Sequence, residues 1–68
     1  MLNVSKLRGA MAEANITQKD IANALNKSEN TITSRFKGNG TFDIEEAETI
    51  CKLIGITDND RKVEIFLS

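Results

Sequence analysis

Residues 17–38 read TQKDIANALNKSENTITSRFKG, and this stretch decides the predicted fold. Thr17 and Ser28 are favourable N-cap residues, and each is followed by a short segment with apolar residues at helical spacing. Asn26 lies between the two segments, and asparagine tolerates a positive φ better than any residue except glycine. Gly38 can end the second segment. The stretch therefore predicts two short helices joined by a tight turn.

Two further helical segments lie on either side of this pair. The first can begin after Asn3 and end at Asn15, because its apolar residues recur at helical spacing. Its expected apolar stripe consists of Val4, Leu7, Met11 and Ala14. The fourth helix of the chain follows the capping-box pattern of Asp43 and Glu46 and ends at Gly55. Its expected buried residues are Ile44, Ala47, Ile50, Cys51 and Ile54.

The C-terminal segment, about residues 58–67, predicts a fifth helix with Thr57 and Asp60 at its start. We expect Val63 and Phe66 to fold back beneath the first and fourth helices. The other apolar residues of this segment would then leave an exposed strip that needs a partner. The residues predicted to form a homodimer interface are Ile65, Phe66 and Leu67. The predicted fold class is all-α, a compact four- or five-helix bundle.

Composition restricts the classes of function that the chain can have. Its 68 residues correspond to one small domain, so residues 1–68 are treated as a single unit. Cys51 is the only cysteine and histidine is absent, which removes the usual zinc ligands and the usual base of a catalytic triad. We therefore expect no enzyme activity, no metal and no cofactor. No apolar run is long enough for a membrane span, and we expect a cytoplasmic protein of a bacterium or of a phage-infected host.

Charge is distributed unevenly along the chain, although the net charge is only −1. Residues 1–40 carry six cationic and three acidic side chains, whereas residues 41–68 carry three cationic and seven acidic ones. A basic half can face phosphate groups while an acidic half stays away from them. The alternative interpretation is that these charges only solvate the surface of a small domain.

Residues 16–38 resemble the helix-turn-helix of the lambda-repressor and Cro-like family, also called the xenobiotic-response-element family. The matching positions are Thr17-Gln18, Ile21-Ala22, Leu25, Ser28, Thr31-Ile32 and Gly38. The similarity continues through the fourth helix to Ile56, and residues 62–68 also look like the ending of small phage-type regulators of this family. The resemblance implies a lambda-repressor-like DNA-binding domain with its helix-turn-helix at about residues 17–38.

Two positions depart from the family pattern. Asn26 occupies the turn position that is usually glycine, and Arg35 occupies a position that is usually apolar. We expect Phe36 to take the buried role next to Arg35, and Arg35 to turn towards solvent or a phosphate. Whether Arg35 or Phe36 is buried determines how the second helix of the pair is rotated. The rotation in turn determines which residues can contact bases.

The resemblance implies a sequence-specific regulator of transcription, a phage or prophage repressor or a Cro-like protein, whose helix at residues 29–37 reads the DNA major groove. The expected base-reading residues are Ser28, Glu29, Asn30, Thr33 and Ser34. Asn30 suits an adenine edge, and Glu29 could accept a hydrogen bond from a cytosine amino group. The expected phosphate contacts are Gln18, Lys6, Lys19, Lys27, Arg35, Lys37 and Asn39. In the family, the glutamine equivalent to Gln18 also braces the recognition helix.

The expected partner is double-stranded DNA with a near-palindromic, operator-like site. One short helix reads only a few base pairs, so we expect a weak homodimer that DNA strengthens, and no contact with membranes. The alternative is a protein-binding module on the same fold, antirepressor-like or antitoxin-like, that acts through the acidic C-terminal half.

Overall fold

The computed structural model describes residues 2–67, and all regular structure within that range is α-helical. The helices are α1 Val4–Ala14, α2 Gln18–Leu25, α3 Glu29–Phe36, α4 Ile44–Ile54 and α5 Asn59–Phe66. The predicted all-α fold class is confirmed, and the fifth helix is present. None of these helices is both long and apolar enough to cross a membrane.

One hydrophobic core joins the five helices. Helix α2 packs against α3 and α4, while α1, α4 and α5 pack against one another. The most deeply buried large side chains are Leu7, Ile21, Ile32, Ile50 and Cys51. Full burial of one leucine or isoleucine side chain contributes about 1.5–3 kcal/mol. The helix-turn-helix is therefore held by α4, which packs against α2, as well as by its own turn.

Three phenylalanines connect the end of α3 to α5. The ring centroids of Phe36 and Phe42 are 6.4 Å apart and those of Phe42 and Phe66 are 6.3 Å apart, both in edge-to-face geometry. The burial of Phe36 agrees with the expectation from the sequence. At the other side of α5, the backbone N–H of Asn3 donates to the carbonyl oxygen of Ile65 at 2.6 Å. These contacts hold the C-terminal helix against the bundle.

The predicted helix ends agree closely with the structure at most positions. Asn15 and Asn26 both adopt the left-handed conformation, with φ of 59° and 57°. Capping boxes form between Thr17 and Asp20 and between Asp43 and Glu46. In the first box, the Thr17 backbone N–H and then its hydroxyl lower the pKa of Asp20. The remaining predicted N-caps, Asn3 and Ser28, and the predicted C-cap Gly55 are also present.

The prediction that Thr57 begins α5 is wrong. Asp58 is the N-cap, and its side chain accepts a hydrogen bond from the backbone N–H of Asp60 at 3.0 Å. Aspartate caps helices at least as well as threonine does, so the helix begins one residue later than the Thr57 pattern indicates. Helix α3 ends at Phe36, and Lys37 is its C-cap rather than its last residue.

The predicted burial is wrong for three residues of α4 and α5. Val63 is 51% exposed and Ile44 is 80% exposed, whereas Ile65 is only 2% exposed. Because Ile65 and Phe66 both point into the core, Val63 lies about 110° around the helix from the middle of the buried face. Ile44 is the first residue of α4 and extends beyond the core. Ile65 and Phe66, predicted at a dimer interface, are used in the core of the monomer, while Leu67 is 70% exposed.

The turn between α2 and α3 gives the first testable prediction. Asn26→Ala should lower the free energy of unfolding by about 1 kcal/mol, because alanine resists the left-handed conformation more than asparagine does. For a domain of this size the melting temperature would fall by about 4–8 °C. Asn26→Gly, the matched control, should be at least as stable as the wild type. Equal melting temperatures for the two variants would show that the left-handed turn does not constrain the fold.

Candidate nucleic-acid interface

The turn between α2 and α3 is built from local backbone bonds. The backbone N–H of Lys27 donates to the carbonyl oxygen of Ala22 at 2.9 Å, across the left-handed residue Asn26. Ala22 of α2 is 3% exposed and Ile32 of α3 is fully buried. Both side chains therefore pack into the same hydrophobic core. This arrangement fixes α3 on α2 and determines which face of α3 remains accessible.

The accessible face of α3 carries short polar side chains. Its apolar side chains, Ile32 and Phe36, point into the core, one helical turn apart. The residues predicted to read bases all lie outside the core: Ser28, Glu29 and Asn30 are exposed, and Thr33 and Ser34 are half-buried. A helix with this division has one anchored side and one side free to contact a ligand.

A shallow depression on the surface of α3 brings four of the predicted site residues together. Its lining consists of Asn30, Thr31, Ser34, Arg35 and Asn39. Asn39 comes from the loop after α3, so this loop and the helix form one continuous surface. Thr31 was not among the predicted residues, although its position three residues after Ser28 places it beside the N-cap.

The hydroxyl group of Ser28 already has a structural role. Its Oγ accepts a hydrogen bond from the backbone N–H of Thr31 at 3.2 Å and also lies 2.9 Å from the Thr31 hydroxyl. A base contact by Ser28 would therefore share an oxygen that caps α3. Asn30 makes no side-chain hydrogen bond within the described part of the chain, so its amide is the better placed of the two for a base edge.

Gln18 connects the start of α2 to the middle of α3. The Thr33 hydroxyl donates a hydrogen bond to Oε1 of Gln18 at 2.9 Å. The bond spans 15 residues and is partly buried, and it leaves the NH₂ group of the Gln18 amide able to donate elsewhere. The two residues were predicted as a phosphate contact and a base contact. The structure brings them together and links the position of Gln18 to that of α3.

Arg35 does not point freely into solvent. Its Nη1 donates to Oε1 of Glu46 on α4 at 2.7 Å, and its guanidinium carbon lies 5.2 Å from the centroid of the Phe42 ring. Lys27 approaches the other carboxylate oxygen of Glu46 at 3.6 Å. The expectation that Arg35 turns outwards is therefore replaced by an ion pair that joins α3 to α4.

Glu46 is held in its charged form by this environment. Partial burial, the largest single influence, raises the pKa of Glu46. The opposing influences are the hydrogen bond from Arg35, the backbone N–H of Asp43, and the charges of Arg35 and Lys27. Together they outweigh burial and lower the pKa below its usual range. The carboxylate is thus negatively charged at neutral pH.

The remaining predicted phosphate contacts fall into two groups. Lys6 pairs with Glu64 of α5 at 3.0 Å, which places its charge at the boundary between α1 and α5. Lys19 and Lys37 are exposed, and neither is in an ion pair within residues 2–67. These two lysines border the start of α2 and the end of α3, where they are available to an external anion.

Sequence reasoning missed Arg8. Its side chain lies over the ring of Phe36, with the guanidinium carbon 5.2 Å from the ring centroid, and the residue as a whole is exposed. Because Phe36 ends α3, the charge of Arg8 lies beside the C-terminal end of that helix. The sequence shows only that Arg8 follows the core residue Leu7 on α1. A single arginine on a polar helix face does not indicate which distant residue it will contact.

Cys51 has no chemical role that the structure supports. The residue is 1% exposed within α4, and burial, the main cause, raises the pKa of its thiol. A thiol with a raised pKa is mostly protonated and a weak nucleophile. The expectation that Cys51 is a small buried hydrophobic residue is confirmed.

Comparison with known proteins agrees with this geometry. A family model described as helix-turn-helix matches residues 7–60, a range that begins within α1, includes α2 to α4 and ends at the start of α5. Comparisons with curated proteins and with solved structures found no match. The matched segment contains the left-handed turn, the polar face of α3 and the helices that support them. The chain belongs to the helix-turn-helix family of the lambda-repressor and Cro type.

Proposed function

We propose that this protein binds duplex DNA sequence-specifically and regulates transcription, as a phage or prophage repressor or a Cro-like protein. The observation that carries the proposal is the division of α3, in which two buried apolar residues anchor a face of short polar side chains. The major groove of B-DNA admits an α-helix of this size and displays a distinct pattern for each base pair. Family membership supports DNA binding as the general activity.

In the proposed complex, base contacts come from the centre of the exposed face of α3. Asn30 can pair with the edge of an adenine through two hydrogen bonds, and Ser34 lies one turn further along the same face. Glu29 can accept a hydrogen bond from a cytosine amino group. Near a guanine or thymine edge, which offers no donor in the major groove, or near a phosphate, the same carboxylate is repelled or loses its hydration, which penalises incorrect sites.

Phosphate contacts would hold the domain in position on the backbone. Gln18 can donate through its amide NH₂ while its oxygen accepts from Thr33. Lys19, Lys37 and Asn39 are exposed on the segments that border α3. A phosphate contact by Gln18 would be transmitted directly to the reading helix, because the same side chain is hydrogen-bonded to it.

We further propose that two copies bind a near-palindromic site. The exposed apolar residues Ile44, Val63 and Leu67 line one groove between α4 and α5. Lys62 and Glu48 line the same groove, so a second copy related by a two-fold axis can place its Lys62 opposite Glu48. In this proposal Leu67 keeps its predicted role, while Ile44 and Val63 take the place of Ile65 and Phe66.

A protein-binding function remains the competing proposal, because Asp43 and Glu48 flank this apolar groove within the acidic half of the chain. Selection of bound sequences from random duplex DNA separates the two. Repeated recovery of one short motif, present in two inverted copies, would support the regulator and its dimer. Recovery of no preferred sequence by a folded protein would contradict sequence-specific binding and favour the protein-binding module.

A second prediction concerns base reading. Asn30→Ala should cost about 1–3 kcal/mol at the selected site and should relax the preference at one base position. The helix content should be unchanged, because Asn30 makes no cap or side-chain hydrogen bond. Asn23→Ala, on the exposed part of α2, is the matched control and should keep the preference. An unchanged sequence preference in Asn30→Ala would rule out its proposed contact.

A third prediction concerns phosphate contacts. Lys37→Ala should weaken binding to all duplex sequences alike and reduce the slope of log affinity against log salt by about one. Lys52→Ala on α4 removes another exposed charge, outside the proposed interface, and should leave the slope unchanged. Titrations of labelled duplexes at several salt concentrations measure both slopes. A change in preference between operators at constant slope would mean that Lys37 reads bases instead.

A fourth prediction concerns the second copy. In sedimentation the free protein should be mostly monomeric, and a duplex with two half-sites about 34 Å apart should bind two copies cooperatively. Val63→Glu should abolish the cooperativity by placing a charge in the groove. Leu53→Glu introduces the same charge at an exposed apolar residue outside the groove, and cooperative binding should be preserved. A single wild-type copy bound at saturation would rule out the dimer.

A further inference from the structure

Glu46 lies between two cations that the sequence assigns to DNA contacts. One carboxylate oxygen accepts from Nη1 of Arg35 at 2.7 Å, and the other lies 3.6 Å from Nζ of Lys27. The side chains of Glu46 and Arg35 are only 13% and 19% exposed, whereas that of Lys27 is 38% exposed. Solvent therefore screens this cluster less than it screens an ordinary surface ion pair.

The cluster is fixed in position by the fold. Glu46 is the third residue of α4, and its Oε1 also accepts the backbone N–H of Asp43 in the capping box. Lys27 comes from the turn between α2 and α3, and Arg35 comes from the last turn of α3. One carboxylate thus connects three segments of the chain and takes part in the start of α4.

The cluster also borders the proposed reading face. Arg35 lines the same depression as Asn30, Ser34 and Asn39, so it lies beside any nucleic acid that occupies this surface. Carboxylate and phosphate oxygens compete for the same donors of an arginine. While Arg35 and Lys27 are paired with Glu46, they are not free to neutralise phosphate groups.

We propose that Glu46 is an internal counter-anion that withholds Arg35 and Lys27 from phosphate contacts and so lowers the affinity of this protein for DNA of any sequence. The inference rests on the proposed function. Non-specific binding depends almost entirely on the number of phosphates that a protein neutralises. Lys19 and Lys37 are already exposed at the proposed interface of this small domain. Pairing two more cations with Glu46 weakens its binding to non-specific DNA and so increases its preference for a specific site.

The charge balance of the chain agrees with this role. Five cations of the basic half were predicted to contact DNA, but the structure pairs three of them, Lys6, Lys27 and Arg35, with acidic residues of the other half. The acidic half therefore acts directly on the cations of the basic half. Glu46 is the only carboxylate among the described ion pairs that contacts two cations.

A fifth prediction tests this role with random-sequence duplex DNA as the probe. Glu46→Gln can keep the capping hydrogen bond but removes the charge. Each cation released onto DNA should steepen the salt slope by about 0.9, so we expect an increase of about one to two and a higher affinity at low salt. Fluorescence anisotropy would measure the affinities between 50 and 200 mM salt. Over this range, the ratio of the variant's affinity to that of the wild type should fall by about three- to twelvefold.

Two matched variants separate the effect of the Glu46 ion pairs on the salt slope from the effect of net charge. Glu45→Gln changes the net charge equally, but Glu45 is exposed and is in no ion pair among the described residues, so its slope should equal that of the wild type. Glu46→Asp keeps the net charge and suits a capping box, as Asp20 does in α2, but its carboxylate is withdrawn from Arg35. Its slope should rise to an intermediate value.

The outcomes distinguish this inference from the function on which it rests. Circular dichroism first establishes that each variant is folded, and Glu46→Asp decides the question if Glu46→Gln is not. Equal slopes for Glu46→Gln and Glu45→Gln, or an unchanged slope for Glu46→Asp, would overturn the counter-anion. Absence of salt-dependent binding by the wild type to any duplex would instead overturn the proposed function.

Discussion

The structure depends first on the left-handed turn at Asn26, because this turn fixes α3 against α2. Ala22 accepts the backbone hydrogen bond that closes the turn, and Ile32 anchors α3 in the core. With the inward side of α3 fixed, its outward side is determined as well. The helices α1, α4 and α5 complete the core that keeps this orientation constant, and the phenylalanine contacts extend it to the C-terminal helix. A change in the turn would therefore move the whole candidate interface.

Electrostatics divides the cations of this chain into two classes. Lys19 and Lys37 are exposed and unpaired within the described residues, whereas Lys27 and Arg35 share the carboxylate of Glu46. The net charge of −1 is therefore compatible with a DNA-binding surface, because seven of the ten acidic residues lie on α4, on α5 or at their N-caps. If Glu46 withholds Lys27 and Arg35 as proposed, the strength of DNA binding depends on how the two halves interact.

Local features of the fold could be predicted from the sequence, and long-range ones could not. The caps at Thr17 and Asn15 follow from hydrogen bonds between residues a few positions apart, so the sequence pattern contains the information. The choice of Ile65 over Val63 as a core residue depends on how α5 is rotated against the bundle, since both residues are apolar. The pairing of Arg35 with Glu46 joins two helices and requires their relative placement. Arg8 was missed for the same reason, because its neighbour Phe36 is distant in sequence.

Mapping by NMR which residues contact DNA would test whether α3 is the surface that meets the duplex. Isotope-labelled protein would be titrated with a mixed-sequence duplex at low salt, where binding does not require a known operator. We expect the largest amide shifts at Gln18 and Lys19, along α3, and in the loop at residues 38–40. Shifts concentrated around Ile44, Val63 and Leu67, with α3 unaffected, would contradict the claim that α3 is the surface that meets DNA.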